Sequence, residues 1–182
     1  MAREKQIVDV LATLAVAFGV ALVLNWIILG FFGQKSADRA EHSLVGILLL
    51  LGYMAASADN RANIGQAVGI FFAALVPCYL GTVFPDLDIQ LLGIGGHRNP
   101  LFHSSVSFFV LVLLVRRQAR FLHILVAGYG VGLASHLWWD IIYYGDVRWL
   151  PGGTIDRLWL GVHGLLCLTT PSSCSLRGDG PE

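Results

Sequence analysis

His136 and Asp140 lie four residues apart, and between Arg120 and Asp140 there is no other Asp, Glu, Lys or Arg. On a helix that spacing puts both side chains on one side, one turn apart. An imidazole nitrogen and a carboxylate oxygen so placed can bind one divalent metal. Asp86 and Asp88 follow a long apolar run, and His97, Arg98 and His103 come shortly after. Asp86, Asp88, His97 and His103 can complete a coordination sphere. A mixed His/Asp set suits zinc, manganese or iron more than calcium, and zinc and manganese are the expected ions. The blander readings are a hydrogen-bonded His136–Asp140 pair and a solvated Asp-x-Asp turn. Ionisable groups among apolar segments are costly, so they usually have a partner or a role.

The elements that must position these residues read as membrane helices. The chain has 182 residues, 55% hydrophobic and 13% charged, against about 25% charged in an ordinary soluble domain. Residues 10–34 and 62–85 carry no charge. Each is long enough for a bilayer core, which needs about 20 apolar residues, and backbone groups in lipid must be satisfied within the segment, as in a helix. The expected fold is all-α, a polytopic transmembrane bundle of about five or six helices. Residues 1–170 form one integral membrane domain and 171–182 a polar, flexible tail. The helices are expected at about Ile7–Phe32, Ser43–Ala58, Ile64–Phe84, Leu101–Val115 and Phe121–Tyr144, with a shorter last segment at Leu158–Leu168. The first is read as a retained helix, since its apolar run is too long for a secretion signal. Successive helices alternate in direction. The end of the 64–84 helix, the start of the 101–115 helix and the end of the 121–144 helix therefore share one face, and the polar residues converge there.

The formal net charge is zero, which gives no basic footprint for nucleic acid. The triple-arginine loop at Arg116, Arg117 and Arg120 is the clearest positive-inside signal. Cys78, Cys167 and Cys174 have no metal or disulfide spacing. Gly128 and Gly132 form a small-xxx-small pair suited to close helix packing. His123 reads as structural, His42 lies near the site face with nothing to single it out, and His163 and Asp156 are at most supporting residues.

Pro85-Asp-Leu-Asp88, then His97-Arg98, His103-Ser104 and Ser135-His136-Leu-Trp-Trp-Asp140, resemble the motifs of the LexA-binding, inner membrane-associated metal-dependent hydrolase family (YdjM-like). The similarity covers Pro85 to Asp140. It implies a metal-dependent hydrolase in a bacterial or archaeal inner membrane; the site's place at headgroup level suits a lipid or lipid-linked substrate, and no nucleic-acid partner is expected. The expected reaction is hydrolysis of a phosphoester or other ester. His103, His136 and Asp140 hold the metal, with Asp86 or Asp88 as a further ligand and the remaining carboxylate as general base. Arg98 holds a substrate phosphate, or else pairs with Asp86 or Asp88. The rival is a non-catalytic membrane scaffold or regulatory protein, its His/Asp cluster structural. A transporter with ion ligands at mid-depth is a third reading, disfavoured because the polar residues lie near helix ends.

Overall fold

The computed structural model describes residues 16, 19, 23, 37–57 and 64–169. Apart from three helical positions, the expected first helix at 7–32 lies outside these residues, as do the turn at 59–61 and the tail from 171. Among the described residues the fold is all-helical, without a strand. The helices are α1 (Ala37–Ser57), α2 (Ile64–Val83), α3 (Leu87–Leu92), α4 (Val106–Val115), α5 (Arg120–Tyr143) and α6 (Thr154–Leu168), with a 3-10 turn at Ile94–Gly96 between α3 and α4.

α5 is the axis of the bundle and packs against α1, α2, α4 and α6. It is buried without interruption from Val126 to Leu137, as befits a helix apolar on every side. One core cluster joins α1, α2 and α5 through Leu50, Phe71, Ala74, Cys78 and Val131. A second joins α4, α5 and α6 through Phe108, Leu133, Leu137, Leu160 and Cys167. Cys78 and Cys167 are buried free thiols within these clusters. A glycine seam brings α2 and α5 into backbone contact. A methyl group on Gly132 would overlap the Cys78 carbonyl, one on Gly128 the Ala74 carbonyl, and one on Gly81 the Tyr129 carbonyl.

Among the described residues, two helices are long and apolar enough to cross a membrane, Gly65–Val83 and Arg120–Tyr143. The other apolar stretches are shorter, Glu41–Ala55 in α1 and the whole of α4. With its 10 residues, α4 is about 15 Å long, half the thickness of a bilayer core of about 30 Å. Its start is Val106 rather than the expected Leu101, because Asn99 organises residues 99–103 into a turn. Its side-chain Oδ1 accepts the Leu101 N–H at 2.9 Å, and its carbonyl accepts the N–H groups of Phe102 and His103 at 3.1 and 2.9 Å. An Asn side chain offering the backbone such a bond competes with helix. α1 begins at Ala37 rather than Ser43, so Asp38, Arg39 and Glu41 are helical and not loop. Acidic residues are favourable near a helix N-terminus.

Candidate metal centre

The candidate residues come from the same end of the bundle. His42 stands near the start of α1, and Thr82 at the end of α2. Asp86 and Asp88 sit at the head of α3, while His97, Asn99 and His103 lie on the connection to α4. His136 and Asp140 occupy the last turns of α5. Gly81 and Gly132 place the α2 backbone against α5 just before Thr82 and His136. The Thr82 carbonyl accepts a hydrogen bond from His136 Nδ1 at 2.7 Å. A carbonyl can only accept, so Nδ1 carries the proton and the Nε2 of a neutral ring presents a lone pair. That atom lies 3.5 Å from Asp140 Oδ2.

His103 is fully buried. Its Nε2 lies 3.4 Å from Asp140 Oδ2 and its Nδ1 3.4 Å from Asp88 Oδ2. Neither ring nitrogen makes a hydrogen bond, and neither does Asp140 Oδ2. These separations exceed the 2.7–2.9 Å of charge-assisted hydrogen bonds. They match ligands around an ion: two atoms each about 2.0–2.1 Å from a tetrahedral zinc stand roughly 3.3 Å apart. The His103 and His136 rings are 5.6 Å apart at an interplanar angle of 69°, so their planes can meet at one ion. The donor types and the stranded buried atoms of His103 and Asp140 are ones that could hold a divalent cation.

His42 comes within 4.8 Å of His136 and Asp140, counting one potential ligand atom from each residue. Its ring, however, stacks on His136 with centroids 4.1 Å apart and planes within 10° of parallel. A metal binds an imidazole nitrogen in the plane of the ring, and a single ion cannot lie in both of two stacked planes. His42 therefore packs the face of His136 rather than sharing its ion. Sequence reasoning placed His42 near the site face without singling it out. The alternation of helix directions that gathers the other residues also brings the start of α1 to this end, and that is the signal that marks it.

Asp88, His97 and His103 form a second group of potential ligand atoms within 4.8 Å of one another. Asp88 is fully buried. Its Oδ1 is 3.0 Å from His97 Nδ1, and its Oδ2 accepts the Asn99 N–H at 3.0 Å. Burial pushes the Asp88 carboxyl up, but the surrounding His103, His97 and Asn99 donors outweigh it and bring it down to about 2. Asp86 is 8% exposed. It stands outside both groups of ligand atoms but close enough to interact electrostatically with His136.

The Arg98 guanidinium is paired with neither Asp86 nor Asp88. It pairs with Asp146 and lies 4.1 Å above the Tyr144 ring. Its backbone has a positive φ of 61°, and its carbonyl accepts the Arg148 N–H at 2.9 Å. This ties the 97–99 loop to the segment after α5. Asp156 serves that same segment, accepting the N–H groups of Val147 and Gly152 at 2.7 and 2.9 Å. His163 accepts the Ser105 N–H at 3.2 Å through Nδ1, and burial holds its pKa below the usual imidazole value. His123 bonds the Val115 carbonyl across the α4–α5 turn at 2.6 Å. These three build the scaffold.

No match was found among curated proteins or among solved structures. A family model described as a domain of unknown function (DUF5942) matches residues 7–177. The match spans nearly the whole bundle and every candidate ligand, and the chain belongs to that family.

Proposed function

We propose that this chain is an integral membrane, metal-dependent hydrolase acting on a phosphoester or other ester of a membrane-associated substrate. The observation that carries the reading is the approach of both His103 Nε2 and His136 Nε2 to the stranded Asp140 Oδ2, at 3.4 and 3.5 Å. Membrane insertion is supported by α2, whose side chains Phe72, Val76 and Leu80 are 43%, 65% and 56% exposed, and by the apolar α4 surface at Leu113 and Leu114. Burying such surfaces in lipid removes large apolar patches that soluble monomers avoid. The hydrolase class rests on the resemblance of the Asp86–Asp140 motifs to the YdjM-like family.

Zinc or manganese there supplies Lewis acidity that lowers the pKa of a water toward neutrality. The protein groups do the rest. The Thr82 carbonyl holds the ring of His136, as outer hydrogen-bond partners do in metal sites. Asp88 is committed to His97 and Asn99, which leaves Asp86 as the carboxylate able to take a proton from an attacking water. Arg98 recruits a substrate phosphate in exchange for Asp146, which is 64% exposed, through a bidentate guanidinium–phosphate contact. The near-complete burial of His103, His136 and Asp140 favours one alternative, a closed structural ion in a scaffold protein.

The test is to purify the full chain in detergent, determine bound metal by elemental analysis, and screen phospholipids and lipid phosphates for turnover. Wild type should retain zinc or manganese and turn over at least one class. His136→Ala and Asp140→Ala should lose turnover and bind less metal than wild type. Metal without turnover on any substrate selects the scaffold, and a wild-type chain that binds no metal overturns the reading.

A further inference from the structure

His103 lies between two carboxylates. Its Nε2 faces Asp140 with His136 beyond, and its Nδ1 faces Asp88 with His97 beyond. The two sides are alike in ring geometry. The His97 and His103 rings are 5.6 Å apart at 76°, much as His103 and His136 are 5.6 Å apart at 69°. Each side thus offers two imidazoles at a steep angle with one carboxylate between them. A neutral imidazole has a single N–H and can serve only one of the two carboxylates. The other oxygen then meets a lone pair in a buried setting, where an unsatisfied polar group is costly. Both His103 nitrogens are buried and without a hydrogen bond, so His103 donates to neither carboxylate; Asp88 is met instead by His97 Nδ1 and the Asn99 N–H, while Asp140 Oδ2 has no donor.

We infer that the chain binds two divalent cations bridged by the imidazolate of His103, the inner one held by His136 and Asp140 and the outer one by His97 and Asp88. The inference rests on the proposed metal centre and extends it from one ion to two. The inner ion is enclosed, whereas the outer one is reached past His97, whose side chain is 24% exposed. The outer position is therefore where water and substrate gain access. Proton balance is simple. When the second ion binds, His103 releases its remaining N–H proton to solvent, and His97 moves its proton from Nδ1 to Nε2 and stays neutral. Asp88 Oδ2 keeps the Asn99 N–H, and Oδ1 is the oxygen open to the ion. Two imidazoles, an imidazolate and carboxylates suit zinc, cobalt or copper better than magnesium or calcium.

The experiment is metal stoichiometry on the full-length, tag-free chain in detergent, stripped by chelator and dialysed against zinc alone. Wild type should bind two equivalents. His97→Ala should bind one, and His136→Ala should also bind one. His97→Gln serves as a second variant if the alanine chain does not fold, and the wild-type count is decisive by itself. Copper or cobalt in place of zinc adds a spectroscopic signature. With both positions filled, an imidazolate-bridged pair is magnetically coupled and its electron paramagnetic resonance signal is diminished, and His97→Ala restores an isolated-ion signal. One equivalent in wild type overturns the bridge while leaving the single-ion centre standing. Zero equivalents overturns both. Two equivalents that persist in His97→Ala place the second ion elsewhere and overturn the inference.

Discussion

Stranding the buried polar atoms of His103 and Asp140 costs about 1–3 kcal/mol for each unsatisfied group. A bound cation removes that cost, and this gives a sign reversal to look for. In chelator-treated protein, His103→Leu should leave thermal stability unchanged or raise it, because an apolar side chain of similar volume needs no partner. In zinc, wild type should gain about 2.7 kcal/mol at a hundredfold excess over the dissociation constant, and the variant should gain nothing. Melting curves with and without chelator check both. The Asp88 carboxyl, held down to about 2, gives a pH prediction. Its folded value lies below the ordinary value of about 3.9, so its contribution is full above that range and is lost as pH falls toward 2. The stability gap between metal-free wild type and Asp88→Asn should be constant above about pH 5 and close between about pH 4 and 2, as read by denaturant titration. The side chains at this scale were legible, since His and Asp are conspicuous in so apolar a chain. Thr82 and Asn99 were not, because they act through a backbone carbonyl and a backbone N–H, which every residue but proline possesses. The Arg98–Asp146 pair joins residues 48 apart in sequence, and no local pattern announces it.

Among the elements, the glycine seam governs the site. Gly132→Ala pushes a methyl group into the α2 backbone at Cys78. Overpacking of this kind costs about 1–3 kcal/mol, and it also moves Thr82 away from His136 Nδ1. The variant should be both less stable and weaker in metal affinity, by denaturant titration and metal competition. Gly69→Ala on the same α2 meets nothing within 4 Å and should be neutral or stabilising by up to about 1 kcal/mol. Apolar runs bounded by charge or proline set α2 and α5 closely: Ile64–Phe84 was expected against Ile64–Val83, and Phe121–Tyr144 against Arg120–Tyr143. The start of α4 was not legible in the same way, because hydrophobicity at Leu101 and Phe102 argues for helix while the Asn99 turn decides against it. α1 extended the other way, since helix-compatible charged residues at its head look like loop when only apolarity is followed.

At the scale of the molecule, the bundle exposes an apolar exterior on α2, with Val76 65% and Leu80 56% exposed. Val76→Arg is the discriminating change. In a lipid-facing position near a helix centre an arginine costs about 2.5–3.5 kcal/mol on insertion scales. The variant should lose carbonate-resistant membrane association. On a water-facing surface it would stay within about 0.5 kcal/mol of wild type. The all-helical character was legible from composition, whereas the number of crossings was not, because α4 and α6 pack on α5 by side-chain fit that hydropathy does not register. α6 donates no ligand. Yet its Trp159 indole N–H holds the His103 carbonyl at 2.9 Å, and its Asp156 clamps the segment to which Arg98 is tied. A chain ending soon after Asp140 would keep every motif residue and lose the brace behind them. Sharing the short signature is therefore not enough to make another protein the same device; it must also supply a buttress in the place of this last helix.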